Sequence, residues 1–275
     1  MRKTAIAAAG FVLALALGGC GETTTGTASP VFDNAQNLAQ AAKTETSKSK
    51  SSKFTFEADM MGQKMTGKGE GRYAGADSAI AMTMDAAGQQ MEMRFVDQTI
   101  YIKMPQGTPG ANPAKPWMKI TPGGNDPMSK MLGDMGQMAE QNDPSKMLEQ
   151  IEKSGTITKS EETQLAGAKT THYWIKLDLA KLAGQAPAGM SKQSLEQMRK
   201  AGVDSLPMQL WMNQDNLPVK VEMDMTAMIA QAAKQAGQQA PQGKAQMSMR
   251  YTDWGAKVAV EAPPTSQVGE FNMPN

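Results

Sequence analysis

Between Phe54 and Met104 the apolar residues fall on every second position, and few folds tolerate that pattern. Phe54, Phe56, Ala58 and Met60 alternate with Thr55, Glu57 and Asp59. Ile80, Met82 and Met84 alternate with Ala81 and Thr83, and Met91, Met93 and Phe95 with Gln90, Glu92 and Arg94. Ile100, Ile102 and Met104 follow the same rule around Tyr101 and Lys103. Successive side chains of a strand point to opposite faces, so period two predicts strands with one wet and one apolar face. The short spacing predicts antiparallel hairpins, with turns at Asp85 to Gly88 and at Asp97-Gln98.

The same period returns later. Thr156 to Leu165 and Lys169 to Leu179 flank a turn at Ala166-Gly167-Ala168. Leu206, Met208, Leu210 and Met212 lead into a turn at Asn213 to Leu217. Val219, Val221, Met223 and Met225 return from it, and Met247, Met249 and Tyr251 form a further strand. Helical spacing interrupts the strands. Val31, Ala35, Leu38 and Ala42 follow Pro30 on one stripe, and the polar run Thr44 to Lys53 then reads as a solvated linker. Met128, Met131, Leu132, Met135 and Met138 form a second stripe. Asp143 as cap and Pro144 in the first turn open a helix over Met147, Leu148 and Ile151. Ser191 to Ala201 and the stretch from Met228 to Ala236 supply two more.

This gives nine or ten strands and four or five helices. No linker after residue 53 is long enough to divide them. The predicted class is α+β, with one large curved antiparallel sheet and helices packed on its concave face. Such a sheet twists and curls toward a barrel, and an incompletely filled barrel encloses a cavity.

The N-terminus speaks of export. Arg2 and Lys3 precede an uncharged apolar run from Ala5 to Leu17, too short to span a bilayer comfortably. Leu17-Gly18-Gly19-Cys20 follows and resembles the bacterial lipobox, in which the cysteine is lipidated and becomes the new N-terminus. Residues 1–19 therefore read as a signal peptide and Cys20 as the lipidation site. Residues 20–29, polar and Thr-rich, read as a flexible tether, and residues 30–275 as the folded domain. Two acyl chains hold a protein on a membrane where one does so only marginally.

Little in the sequence suggests chemistry. Lys and Arg number 28 against 27 Asp and Glu, a net charge of +1 that gives no reason to expect nucleic acid. One cysteine and one histidine preclude an internal disulfide and leave His172 alone for any imidazole chemistry. No cofactor or metal site is expected. His172 shares a strand face with Trp174 and Lys176 and reads as a surface or rim histidine. Ser47-x-x-Lys50 lacks the partner motifs of penicillin-binding enzymes. Gly62 to Lys68 matches the start of a phosphate loop, but Gly69 stands where Ser or Thr is required and the flanks read as strand. Gly67, Gly69 and Gly71 instead mark a twisted or closely approached strand. Glu161 and Glu162 are adjacent on a strand and face opposite ways. An enzyme is not expected.

The order of parts resembles the LppX/LprG lipoproteins of actinobacteria, with their LolA-like half-barrel, over roughly residues 31 to 270. The stretches that carry the resemblance are Leu206-Pro207 leading into Trp211, Asn216-Leu217-Pro218, Tyr251-Thr252-Asp253-Trp254-Gly255, and Val260 to Val268. It implies a non-catalytic protein at the outer face of the cell membrane that binds or carries lipid or lipoglycan in the half-barrel. Candidate wall residues are Met82, Met84, Met91, Met93, Ile100, Ile102, Met208, Leu210, Met223 and Met225. The 25 methionines leave two readings open. Met adapts to varied apolar ligands and also fills ordinary cores. In the second reading the half-barrel is filled and the domain acts through an unidentified protein partner.

Overall fold

The computed structural model describes residues 31–86, 88–105, 112–120, 143–182, 192–200, 202–235, 237, 239 and 243–270. The signal segment, Cys20, the tether, Pro30, Ser191, Ala236 and the stripe from Met128 to Met138 lie outside the described residues.

The strands are β1 (Ser51–Met60), β2 (Gln63–Arg72), β3 (Ala79–Ala86), β4 (Gln89–Val96), β5 (Thr99–Lys103) and β6 (Trp117–Ile120). After them come β7 (Gly155–Leu165), β8 (Ala168–Asp178), β9 (Ser205–Asn213), β10 (Pro218–Asp224), β11 (Ala245–Thr252) and β12 (Val268–Glu270). The described helices are α1 (Ala35–Ser49), α2 (Pro144–Ser154), α3 (Leu179–Leu182), α4 (Lys192–Lys200) and α5 (Thr226–Gln235). All twelve strands form one curved, open sheet in the order β12-β6-β5-β4-β3-β2-β1-β11-β10-β9-β8-β7. Two meanders therefore meet at β1, which pairs antiparallel with both β2 and β11.

Register follows from the apolar pattern, because a one-residue slip would turn every side chain to the wrong face. Ile80, Met82 and Met84 stand opposite Phe95, Met93 and Met91. Phe95 and Met93 in turn face Ile100 and Ile102. The hairpins close where expected: Asp97 and Gln98 both have positive φ (50° and 58°), as do Ala166 (52°) and Gly167 (84°). A two-residue turn with both φ positive matches the twist of its flanking strands.

One contiguous core lies between the inner face of the sheet and the helices. Leu38, Leu148, Ile151, Leu179 and Leu195 from α1 to α4 are all at 0% exposure within it. In α2, Asp143 caps as predicted, its Oδ1 accepting from the Ser145 N–H at 2.8 Å.

Four details differ from the sequence reading. Helix α1 starts at Ala35, capped by Asn34, whose Oδ1 accepts from the Asn37 N–H at 2.8 Å. Val31 stays outside the helix and is exposed. The run Thr44 to Lys53 is the end of α1 and the start of β1, not a linker. Its polar groups are used inside: the buried Ser52 hydroxyl lies 2.8 Å from Tyr73 Oη, and Ser51 donates to the Ala256 carbonyl at 2.6 Å. Strand β6 is too short to show a period. Finally, the tail is not wholly irregular: β12 pairs in parallel with β6, the one parallel pair in the described sheet.

Candidate functional site

The inner face of the sheet has two unlike ends. At one end β2 and β4 finish and β1, β3 and β5 begin, and the side chains there are aromatic or aliphatic. Phe54, Ile80, Phe95, Ile100 and Tyr251 are all at 5% exposure or less. Tyr251 and Tyr73 meet the Trp254 ring at centroid distances of 5.5 and 6.2 Å. The indole N–H donates to the Pro218 carbonyl at 2.9 Å. Burial pushes the hydroxyls of Tyr73 and Tyr251 well up, so both remain neutral.

Across this face β2 offers Gly67, Gly69 and Gly71, opposite Phe56, Phe54 and Ser52 of β1. A Cβ built on Gly69 would stand 2.5 Å from the Phe54 ring, and one on Gly67 would collide with the Phe56 ring. The glycines exist so that the two rings can lie flat on the neighbouring strand, the close approach expected of interior strand glycines.

At the opposite end, where β1, β3 and β5 finish, the inner face is methionine. Met60, Met84, Met91, Met104, Met223, Met225 and Met247 are partly exposed there, and Met65 is 37% exposed. The strand registers join several of them. Met84 faces Met91, and Met223 stands between Met208 and Met247. Met247 and Met65 flank the small Ala58 of β1. Met225 continues past β10, its N–H donating to the Ala245 carbonyl at 2.8 Å.

The ten candidate wall residues therefore divide. Met82, Met93, Ile100, Ile102, Met208 and Leu210 are buried members of the core, between 0% and 7% exposed. Met84, Met91 and Met223 are partly buried and pack against that core. Met225 is also partly buried, beyond the end of its strand. The structure brings nine of the ten to one continuous surface. Met65, Met104 and Met247 share the methionine end, although sequence reasoning left them out of the wall. Their alternation was visible for Met104 and Met247. The partner row that places Met65 beside Ala58 was not.

Two clefts are described, both lined mainly by outer-face residues, with inner-face positions Met82 and Met93 in one and Met65, Met208, Met223 and Met247 in the other. One, of about 460 Å³, lies over β1 to β4 between Lys53, Lys68, Glu70, Glu92 and Arg94. The other, of about 550 Å³, crosses β7 to β11, β1 and β2 and is bounded by Glu57, Lys64, Trp174, Lys176, Lys220, Glu222 and Arg250. Asp59 and Asp224 also line it, so its four acids balance its four bases, and Lys220 pairs with Glu222.

His172 lies on this outer face with Trp174 and Lys176, but it is not a surface group. It is 6% exposed, held between the Trp211 ring at 3.9 Å and the Trp174 ring at 3.5 Å. Lys220 covers Trp211 at 4.5 Å and Lys159 covers Trp174 at 4.1 Å, completing a cation–indole–imidazole–indole–cation stack. Nε2 lies 3.0 Å from Gln209 Oε1. Burial pulls the imidazole below its ordinary pKa of 6.5, against smaller opposing effects of Gln209 and Glu161. The sequence places these residues on one face; it does not show that four strands align them.

No group of three or more His, Cys, Asp or Glu able to hold a metal occurs among the described residues. No described helix is long and apolar enough to cross a membrane. No family model matches the chain, and no curated protein matches it. Among solved structures, LprF from Mycobacterium bovis is similar with a TM-score of 0.51 and 13% identity, covering 86% of this chain and 99% of that one. The Mycobacterium tuberculosis lipoprotein LppX gives a TM-score of 0.47 and 11% identity, over 82% of this chain and 98% of that one. The likeness to LprF shows the fold: this chain has an LppX/LprG-like half-barrel.

Proposed function

We propose that this LppX/LprG-like half-barrel is a non-catalytic envelope lipoprotein, anchored through lipid on Cys20, that takes up lipid or another apolar ligand at the methionine end of its inner face. Residues 1–19 would be removed, residues 20–29 would tether the domain, and 30–275 would form it. The observation that carries the reading is the exposure gradient along one face. Aromatic and aliphatic side chains at one end are sealed, whereas the methionines at the other end are apolar, flexible and only partly covered. Burying an acyl chain against such a surface contributes about 0.8 kcal/mol per CH₂. Unbranched thioether side chains re-pack around varied apolar shapes, so no fixed set of polar contacts is required.

The test is native mass spectrometry and lipid extraction on the protein purified from its own membranes. Near-stoichiometric lipid supports the reading; an empty protein that also fails to take up an apolar dye sinks it. Anchoring is tested separately. Cys20→Ala should release the protein from the membrane fraction or leave it uncleaved, and unchanged processing with unchanged retention would refute the lipobox assignment.

A second reading is favoured by one observation. Most of the wall belongs to a continuous core that the helices already fill, and neither described cleft is lined mainly by it. On that reading the domain is a binding or sensor module that acts through a protein partner, and the lipid extraction would find nothing bound.

A further inference from the structure

Core filling explains only part of how methionine is distributed in this protein. The positions at 0% exposure are held by residues such as Leu38, Ile100, Leu148, Ile151, Leu177 and Leu210. No described methionine reaches that depth: the most buried, Met208 and Met212, are at 2%, and several stay partly exposed. Methionine thus supplies six buried core members among the described residues and, for most of the rest, gathers partly exposed at one end of the inner face.

There it forms a row at one level of the sheet. Met208 on β9 faces Met223 on β10, which faces Met247 on β11. Ala58 on β1 comes next, and Met65 on β2 stands opposite it. Directly opposed side chains on neighbouring strands have Cβ atoms about 4.5–5.5 Å apart. Each thioether sulfur is only two bonds beyond its Cβ on a freely rotating stem. Three adjacent sulfurs can therefore converge on one point above the middle strand. Thioether is a soft, neutral ligand. It selects soft monovalent d¹⁰ cations over the hard divalent cations that carboxylates take.

We propose that Met208, Met223 and Met247 form a binding site for a soft monovalent metal ion of the Cu(I) class. The ion binds by coordination alone, with no change in oxidation state and no proton released. The site does not depend on lipid binding, although it shares the methionine end with it.

Ag(I), a redox-inert stand-in for Cu(I), is the probe. It is titrated into the purified full chain in mild detergent, with Cys20→Ala so that no thiol competes, while the methionine methyl resonances are followed by NMR. The expected result is saturable binding that shifts the methyls of Met208, Met223 and Met247. Met223→Leu with Met247→Leu should weaken it at least tenfold, and Met118→Leu, on β6 across the sheet, should leave it unchanged. Leucine nearly conserves volume, so the fold should tolerate the exchange. Where the double variant melts early, the two single variants carry the comparison. Absence of saturable binding, or equal affinity in the variants, overturns the proposal. Apolar-dye uptake on the same samples separates the two ideas. Leucine keeps the wall apolar, so uptake should persist when metal binding is lost, and lack of uptake in the parent chain bears only on the lipid reading.

Discussion

The two ends of the inner face share strands, register and hydrophobic period, yet they are built for different tasks. At the closed end Phe54 and Phe56 lie over bare glycines, Tyr73 and Tyr251 lean on Trp254, and Ser52 and Tyr73 satisfy each other's hydroxyl. Every piece there has one shape and one place. At the other end the same alternation delivers methionines, which have no preferred shape and are left partly uncovered. Period two decides which face a residue joins. The kind of apolar residue decides whether that face sets solid or stays adaptable.

The sharpest way to break this comparison is to attack the face both ends share. Met93 is 6% exposed, between Met82 and Ile102. Met93→Asp places an unpaired carboxylate in the core, which costs several kcal/mol. The expected outcome is loss of a cooperative melt in circular dichroism; an unchanged melting temperature would show that the inner face is misassigned.

A graded test compares truncations at the two places. Leu38→Ala, at 0% exposure on the core-facing side of α1, should cost about 3 kcal/mol in urea unfolding, within the usual range of about 2–5 kcal/mol for buried leucine. Met223→Ala, partly exposed at the rim, should cost less than about 1 kcal/mol, since less surface is re-exposed and the gap opens to solvent. Equal costs would mean that the methionine end is as solid as the closed end.

The smallest effect concerns the outer face behind the rim. Burial holds His172 below its ordinary pKa, so the folded state favours the neutral ring. Below about pH 6.5 the unfolded chain binds the extra proton more readily than the folded one. Stability from this group is complete above that value and declines as pH falls toward the depressed folded pKa. Unfolding free energies from about pH 7.5 to about pH 5.5 should therefore fall more steeply for the parent protein than for His172→Gln. Parallel slopes would remove His172 from the acid response.

Much of this molecule is legible without coordinates. Alternation at Phe54 to Met60, Ile80 to Met84, Met91 to Phe95 and Leu206 to Met212 named the strands and the inward side chains. Asp143-Pro144 marked the start of α2, and Ala166-Gly167 marked a tight turn. The misses have physical causes. Thr46 and Ser52 look like linker residues because burial of a hydroxyl depends on a partner, and Ser52 finds Tyr73 far along the chain. Strand β12 has only three residues and exists because β6 offers it an edge. His172 looked like a rim residue because its stacking partners come from β8 itself, from β9, and through the lysines from β7 and β10.

Local rules operate along one strand or one turn, so the sequence by itself determined the α+β class, the faces, the hairpins and the lipobox-like N-terminus. It also determined that methionine would dominate the apolar side. Which methionines lie side by side, and which remain open to solvent, was decided only by the tertiary structure. Rows across a sheet join residues more than a hundred positions apart, and helix cover is set by packing rather than by period. The row from Met208 to Met65 is the outcome of both. Alternation aims each sulfur at the same face, and the meeting of two meanders at β1 brings them to one level.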